Sequence, residues 1–419
     1  MPAATTTPPT PDRPKSERCR ALRRSLFWIH LALGVVCGAV IALMASTGLL
    51  LAFRAEILEF ARHDEARVTV PADAGRLPVD RLERALREST GAAPSAITVW
   101  ADPAAAVQLA TGRDTLHFAD PYTGDLREAG GARVAAALKF AEELHRWLAL
   151  GGDGRAVGKA ITGACALAFL LLSLSGLYLW WPRAWDARTL RPSIALRRGA
   201  KGRARDWNWH NVFGFWALPV LIVISSSGVV ISYRWANNFL YLVAGETPPA
   251  LRAPAEPARF APPAPGDRPL SRQALLNKAF AEVPGWTSAT LRSARARRSA
   301  ETPARREGAS SESAAGALPV SVQVTRSGTI PLFAGVTVTL HPYTGEVLRR
   351  EGFSDRSVGD RLRAAARYLH TGEGLGLPGK LLAFLGALAA LVLVWTGYAL
   401  TWRRFFRRAE NAPSPEVSA

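Results

Sequence analysis

Cysteine is scarce in this chain. Three occur in 419 residues, Cys19, Cys37 and Cys165, and none falls within 55–156 or 236–378. Those two long segments therefore have no disulfide framework. No C-x-x-C-H occurs anywhere, which excludes covalent attachment of a c-type haem. Acidic residues are also few: 34 Asp and Glu stand against 52 Lys and Arg, for a net charge of +18. No βαβ pattern frames a dinucleotide loop, so a flavin or nicotinamide donor would sit on another protein. The glycine-rich stretches GGDG and GEGLGLPG read as turns, and no hydrolase or phosphate-loop constellation stands out.

Long apolar runs are what the chain does have. Hydrophobic residues make up 48% of it, and four runs lie near 27–53, 157–181, 212–235 and 379–402. About 20 apolar residues cross a hydrocarbon core of about 30 Å, so each run is long enough to span a membrane. Aromatic residues gather at their ends: Phe27, Trp28, Trp180, Trp181, Tyr233, Trp235 and Trp402. Such belts mark the headgroup level. The first run is too long for a cleaved signal peptide, and no small-residue cleavage site follows it.

The placement of charge sets the expected orientation. Arg13, Lys15, Arg18, Arg20, Arg23 and Arg24 precede the first run, and Arg403, Arg404, Arg407 and Arg408 follow the last. Between runs two and three lie Arg183, Arg188, Arg191, Arg197, Arg198, Lys201, Arg203 and Arg205. Positive loops stay in the cytoplasm. The expected layout is a cytoplasmic tail 1–26, spans at 27–54, 157–181, 212–235 and 379–402, a cytoplasmic loop 182–211 and a cytoplasmic tail 403–419. Segments 55–156 and 236–378 then face the periplasm. Charge that flanks spans does not line one soluble face, so no nucleic-acid partner is expected.

The chain repeats itself. His30 is followed by Gly34, Ser46, Gly48 and Arg54, and His210 is followed at the same offsets by Gly214, Ser226, Gly228 and Arg234. The stretch HRWLALGGDGRAVGK…SGLYLWW matches HTGEGLGLPGK…TGYALTW. Each outer segment reads as a small α+β domain. The first has a helix VDRLERALRES, strands near 96–101, 106–111 and 114–119, and the turn DPYTGD. The second has a helix SRQALLNKAFAEV, strands near 319–325 and 333–341, and the turn HPYTGE. Residues 247–269 read as a Pro-rich linker, 296–316 as a flexible insertion, and 1–16 and 409–419 as disordered tails. The expected fold is a four-helix transmembrane bundle from two tandem repeats with two small periplasmic α+β domains.

Four of the seven histidines fall at matched ends of the spans. His30 and His210 share one membrane face, and His145 and His370 share the other. Paired imidazoles from different helices are the ligand set of a six-coordinate haem iron, which carries electrons and has no open position. Gly34 and Gly214 lie about one helical turn from their histidines, and Gly48 and Gly228 about five turns away on the same stripe. Missing side chains there leave room for a flat porphyrin; equally, small residues let helices approach each other. Arg54 and Arg234 suit haem propionates or, alternatively, lipid phosphates. Arg146, Arg155, Lys159 and Lys380 are weaker candidates of that kind. His63, His117 and His341 read as surface or strand residues.

These motifs together resemble the PepSY-associated transmembrane helix family. The pieces that carry the resemblance are IHLALG…STGLL, WHNVFGFWALP…SSG, LHRW…SGLYLWWPR and the paired DPYTGD and HPYTGE turns. The family includes inner-membrane proteins similar to ferric-siderophore reductases. The resemblance implies two b-type haems with His30, His145, His210 and His370 as axial ligands to iron. It implies electron flow outward, from a cytoplasmic or quinol donor to a ferric siderophore or other Fe(III) chelate. The other reading is a non-catalytic iron-uptake or regulatory module of the inner membrane, whose PepSY-like domains bind a peptide or partner protein.

Overall fold

The computed structural model describes residues 13–406 apart from 74, 113–114, 183–184, 250–258, 265, 293–316 and 327–334. The insertion 296–316, the tail expected at 409–419, residues 1–12 of the tail expected at 1–16, and residues 250–258 and 265 of the linker expected at 247–269 lie outside the described residues; residues 13–16, expected to be disordered, are helical. In chain order the first elements are α1 (Arg13–Leu51), α2 (Arg54–Ala61), α3 (His63–Ala66) and α4 (Val79–Thr90). Four strands follow: β1 (Ala96–Trp100), β2 (Val107–Thr111), β3 (Thr115–Ala119) and β4 (Leu126–Glu128). Then come α5 (Ala132–Trp147), α6 (Gly154–Trp180), α7 (Ala187–Ile194), α8 (Gly202–Ser232), α9 (Arg234–Val243) and α10 (Arg272–Glu282). The second set of strands is β5 (Trp286–Arg292), β6 (Val320–Arg326), β7 (Val336–Leu340) and β8 (Val347–Glu351). The chain closes with α11 (Val358–Thr371) and α12 (Leu377–Phe405).

These elements form two units, one of Met1–Ala52, Ala141–Tyr233 and Leu381–Ala419, the other of Phe53–Phe140 and Arg234–Lys380. The helical unit contains α1, α6, α8 and α12, which among the described residues are the four helices long and apolar enough to cross a membrane. α6 packs on both α1 and α8. Ile41, Cys165 and Leu172 are buried there, with Cys37 beside them, so both described cysteines act as small apolar side chains. Small residues allow the closest approaches. A Cβ on Gly38 would come 2.7 Å from the Tyr398 hydroxyl, and one on Gly386 would come 2.6 Å from Val220. Val36 and Leu385 turn outward, as a lipid-facing surface requires.

The second unit is built on one sheet of eight strands in the order β4-β3-β2-β1-β5-β6-β7-β8. Here the structure differs from the two separate domains expected. β1 pairs antiparallel with β5, with Thr98 opposite Thr290 and their hydroxyls 3.0 Å apart. An unpaired β1 or β5 would leave a bare edge, and the pairing removes both. β5 has no counterpart among the expected strands, because only Ala289 and Leu291 alternate with polar residues and a register shift puts Trp286 out of phase with them.

One core serves both halves of the sheet. Leu82 and Leu86 of α4 and Leu275 and Leu276 of α10 pack with Ile97, Leu109, Leu291, Val322 and Leu340. Each of these apolar side chains contributes about 1.5–3 kcal/mol when taken from water. The two helices also cap each other. Asp80 accepts from the backbone N–H groups of Arg272 (2.7 Å) and Gln273 (3.0 Å), and Gln273 accepts from Val79 N–H at 3.1 Å. Asp80 thus supplies α10 with the acceptors its first turn needs.

The two PYTG turns share one construction. Gly124 and Gly345 have φ of 86° and 71°, and their N–H groups donate to the carbonyls of Asp120 and His341 at 3.0 Å. Asp120 Oδ1 accepts from Tyr122 N–H (2.8 Å) and Thr123 N–H (3.3 Å). His341 Nδ1 accepts in the same way from Tyr343 N–H (3.3 Å) and Thr344 N–H (3.2 Å). That explains why a histidine stands where the first half has an aspartate.

Candidate functional site

At one end of the helical unit α1 brings His30 and α8 brings His210 face to edge. Their ring centres are 6.4 Å apart and the rings cross at 81°. An imidazole nitrogen bonds a first-row metal ion at about 2 Å, so two rings gripping one ion from opposite sides have centres about 6 Å apart. Each Nδ1 is already engaged. His30 Nδ1 lies 2.9 Å from Ser175 Oγ on α6, and His210 Nδ1 lies 2.9 Å from Thr396 Oγ1 on α12.

The entry to α8 is pinned, which positions His210. Asp206 is fully buried and accepts from Arg205 (2.9 Å) and from Arg403 Nε (3.1 Å). Asn208 is also fully buried; it accepts from Arg197 N–H at 2.9 Å and donates to the carbonyls of Pro192 (2.7 Å) and Ala195 (3.0 Å). A buried carboxylate with two guanidinium partners is well compensated.

His145, in the last turn of α5, is held against α1. Its Nδ1 lies 2.9 Å from the Met44 carbonyl and 3.0 Å from Thr47 Oγ1. The end of α5 is locked to α6 as well: Thr162 Oγ1 donates to the Arg146 carbonyl at 2.8 Å, and Gly158 lets the Trp147 carbonyl come close.

The family described as the PepSY-associated TM region matches residues 27–404. This chain belongs to that family. No curated protein matches it.

The match covers all four membrane-length helices of this PepSY-associated TM protein, both PYTG turns and the four histidines. His370 lies in the last turn of α11, in the sheet unit, while His145 belongs to the helical unit. The N-terminus of α11 is anchored within the sheet unit by α9 and the residues after it: Tyr241 donates to Asp360 at 2.6 Å, and Ser357 donates to Glu246 at 2.6 Å. Arg54 opens α2 and Arg234 opens α9, both in the sheet unit. Arg146 pairs with Glu142 at 2.9 Å, the Arg155 guanidinium lies over Trp147 at 3.8 Å, Lys380 pairs with Glu56, and Lys159 is exposed.

The glycines divide by what lies beside them. A Cβ on Gly48 would meet His145 Cε1 at 3.6 Å. One on Gly34 would meet Leu172 at 3.9 Å, and one on Gly214 would meet Leu393 at 3.6 Å, so both face neighbouring helices. Gly228 is buried on α8. Two glycines not singled out in the sequence lie against the first histidine pair: a Cβ on Gly176 would come 3.4 Å from His30 Cε1, and one on Gly397 would come 3.8 Å from His210 Cε1. Their signal was present as a Ser/Thr–Gly dipeptide in every span: Thr47–Gly48, Ser175–Gly176, Ser227–Gly228 and Thr396–Gly397.

Proposed function

We propose that this PepSY-associated TM protein binds two b-type haems and passes electrons across a bacterial inner membrane to an Fe(III) chelate. The observation that carries the reading is the His30–His210 couple, two imidazoles on different membrane-length helices with ring centres 6.4 Å apart. Two imidazoles are too few to cage a bare ion. Among the described residues no group of three or more His, Cys, Asp or Glu comes together. A macrocycle that brings four nitrogens of its own completes that donor set. Gly176 and Gly397 keep the imidazole edges clear.

By the match between the two halves, read as tandem copies, His145 and His370 make the second pair. Gly48 and Gly228 would leave room at its level, and Arg54 and Arg234 would meet propionates. Bound haem would supply a one-electron carrier at each level. The chain's own part is to present neutral imidazoles at fixed angles and to exclude water with apolar spans. Arginine-rich flanks place both termini in the cytoplasm, so residues 55–156 and 236–378 form the periplasmic PepSY-like region that would receive a ferric siderophore. Electrons come from a cytoplasmic donor or the quinol pool. Fe(II) binds hard oxygen ligands less tightly than Fe(III), so reduction would release the iron.

Absorbance tests the reading. Purified protein should show a b-type spectrum that dithionite reduces, and a panel of ferric chelates should reoxidise it. His30→Ala or His210→Ala should remove one haem, and His145→Ala or His370→Ala the other. A colourless preparation with all four histidines intact would overturn the proposal. It would leave a membrane module whose sheet unit binds a peptide or partner protein.

A further inference from the structure

Three imidazoles in the helical unit are seated in one way. The seat is a Ser or Thr followed by Gly on a neighbouring helix. Ser175–Gly176 of α6 receives His30, Thr396–Gly397 of α12 receives His210, and Thr47–Gly48 of α1 receives His145. The hydroxyl meets Nδ1 in each case, and the glycine clears the Cε1 edge between the two ring nitrogens. Adjacent residues on a helix point about 100° apart, so an imidazole laid over the backbone between them touches both.

The direction of these hydrogen bonds follows from the hydroxyls' other partners. Ser175 Oγ lies 2.6 Å from the Leu171 carbonyl, and Thr396 Oγ1 lies 2.7 Å from the Val392 carbonyl. A carbonyl oxygen can only accept, so each hydroxyl has spent its single proton on its own helix. Toward the histidine it presents a lone pair, and the imidazole must donate through Nδ1–H. At His145 the Met44 carbonyl at 2.9 Å forces the same answer independently. A neutral ring that carries its proton on Nδ1 has a bare Nε2.

We infer that Ser175, Thr396 and Thr47 are positioning residues that hold His30, His210 and His145 in the Nδ1–H tautomer and so aim a basic Nε2 at the metal. The inference rests on the haem reading above and assigns its outer partners. A neutral hydroxyl suits a site inside the spans, where an extra carboxylate would be costly to desolvate. Because the hydroxyl is satisfied by its own helix, no donor is stranded in lipid. An acceptor on Nδ1–H makes the ring more electron-rich, which favours Fe(III) and lowers the reduction potential. The seats are not equal. His210 also has the Leu393 carbonyl beside Thr396, and His145 keeps the Met44 carbonyl even without Thr47, whereas His30 meets the Ser175 hydroxyl.

The test uses the full-length, haem-loaded protein in detergent. The variants are Ser175→Ala, Thr396→Ala and Thr47→Ala, with Ser175→Thr and Thr396→Ser as rescues. Potentiometric titration gives the midpoint of each haem, and transfer to a competing apo-haem protein gives retention. Ser175→Ala should raise the midpoint of one haem and weaken its retention about 10–100-fold, and Thr396→Ala should move the same haem in the same direction by less, since the Leu393 carbonyl remains beside His210. The conservative swaps should restore both. Thr47→Ala should move the other haem, and by less. Wild-type midpoints and retention in both alanine variants of the first pair would overturn the inference while leaving the haem reading standing. So would a Thr47→Ala shift larger than that of Ser175→Ala. A wild-type protein without haem overturns the proposed function itself, and the spectrum shows this before any variant is made.

Discussion

Two histidine-bearing helix ends turn by different means. α5 ends through Leu148 and Ala149, both at φ 55°. α11 ends through Gly372 at φ 72°, and Gly376 follows at φ 64°. A side chain in the left-handed region costs about 1–2 kcal/mol per residue, and glycine is free of that cost. At α11 the local sequence permits the turn. At α5 packing imposes it: Thr162 holds the Arg146 carbonyl, the Trp147 carbonyl rests on Gly158, and Arg155 covers the Trp147 ring. Strained backbone persists only where its surroundings over-determine it. His145 is therefore fixed by tertiary contacts, and the end of the His370 helix by its own glycine.

The sharpest way to break this contrast is Gly158→Val. Its Cβ would run into the Trp147 carbonyl, and the expected loss is about 3 kcal/mol or more in thermal unfolding of the detergent-solubilised protein. Gly372→Ala comes next, at about 2 kcal/mol, because it combines the positive φ with a Cβ pressed toward the Gly379 carbonyl. The mutual capping of α4 and α10 gives an intermediate effect. Asp80→Ala strands two backbone donors and should cost about 1–2 kcal/mol, while Gln273→Ala strands one and should cost about half as much. Ala149→Gly should go the other way and stabilise the protein by about 1 kcal/mol; no gain would mean that the α5 turn carries no strain.

The smallest effect is in pH dependence, and it belongs to the sheet unit. The Ala104 N–H, and after it Arg67, hold the Asp102 carboxyl below its ordinary value. The Gly352 N–H and the Ser354 hydroxyl do the same for Asp355. A depressed carboxyl contributes stability above its unfolded pKa and loses it as the pH falls through the folded one. Carboxylate titration by infrared or NMR should place both midpoints below the usual aspartate range. Arg67→Ala should move Asp102 upward and leave Asp355 where it is.

Local features of this protein are legible in its sequence, and distant ones are not. The four spans announce themselves by hydropathy, and the DPYTGD and HPYTGE turns by their Pro and Gly. The family is legible too, because its motifs are short and ordered. Ser175 and Thr396 were not singled out, since each meets its histidine across 145 and 186 residues of chain. A hydroxyl in a span also looks like any residue bonded to its own backbone. Gly34 and Gly214 share a helix face with His30 and His210, yet a facing leucine takes the space beside each. Periodicity gives the face of a helix and says nothing of which neighbour fills it. The same limit hid β5, whose alternation is clear only once β1 lies beside it.

The β1–β5 ladder sets a condition on how the protein is made. Its central partners, Thr98 and Thr290, are 192 residues apart. A ribosome adding about 5–20 residues per second takes on the order of 10–40 s to cover that distance. For that interval the first four strands exist with one flank unzipped and with α4 lacking the helix that caps it. A nascent chain in this condition is open to mispairing, and a product cut short after the first half would keep the exposed flank permanently.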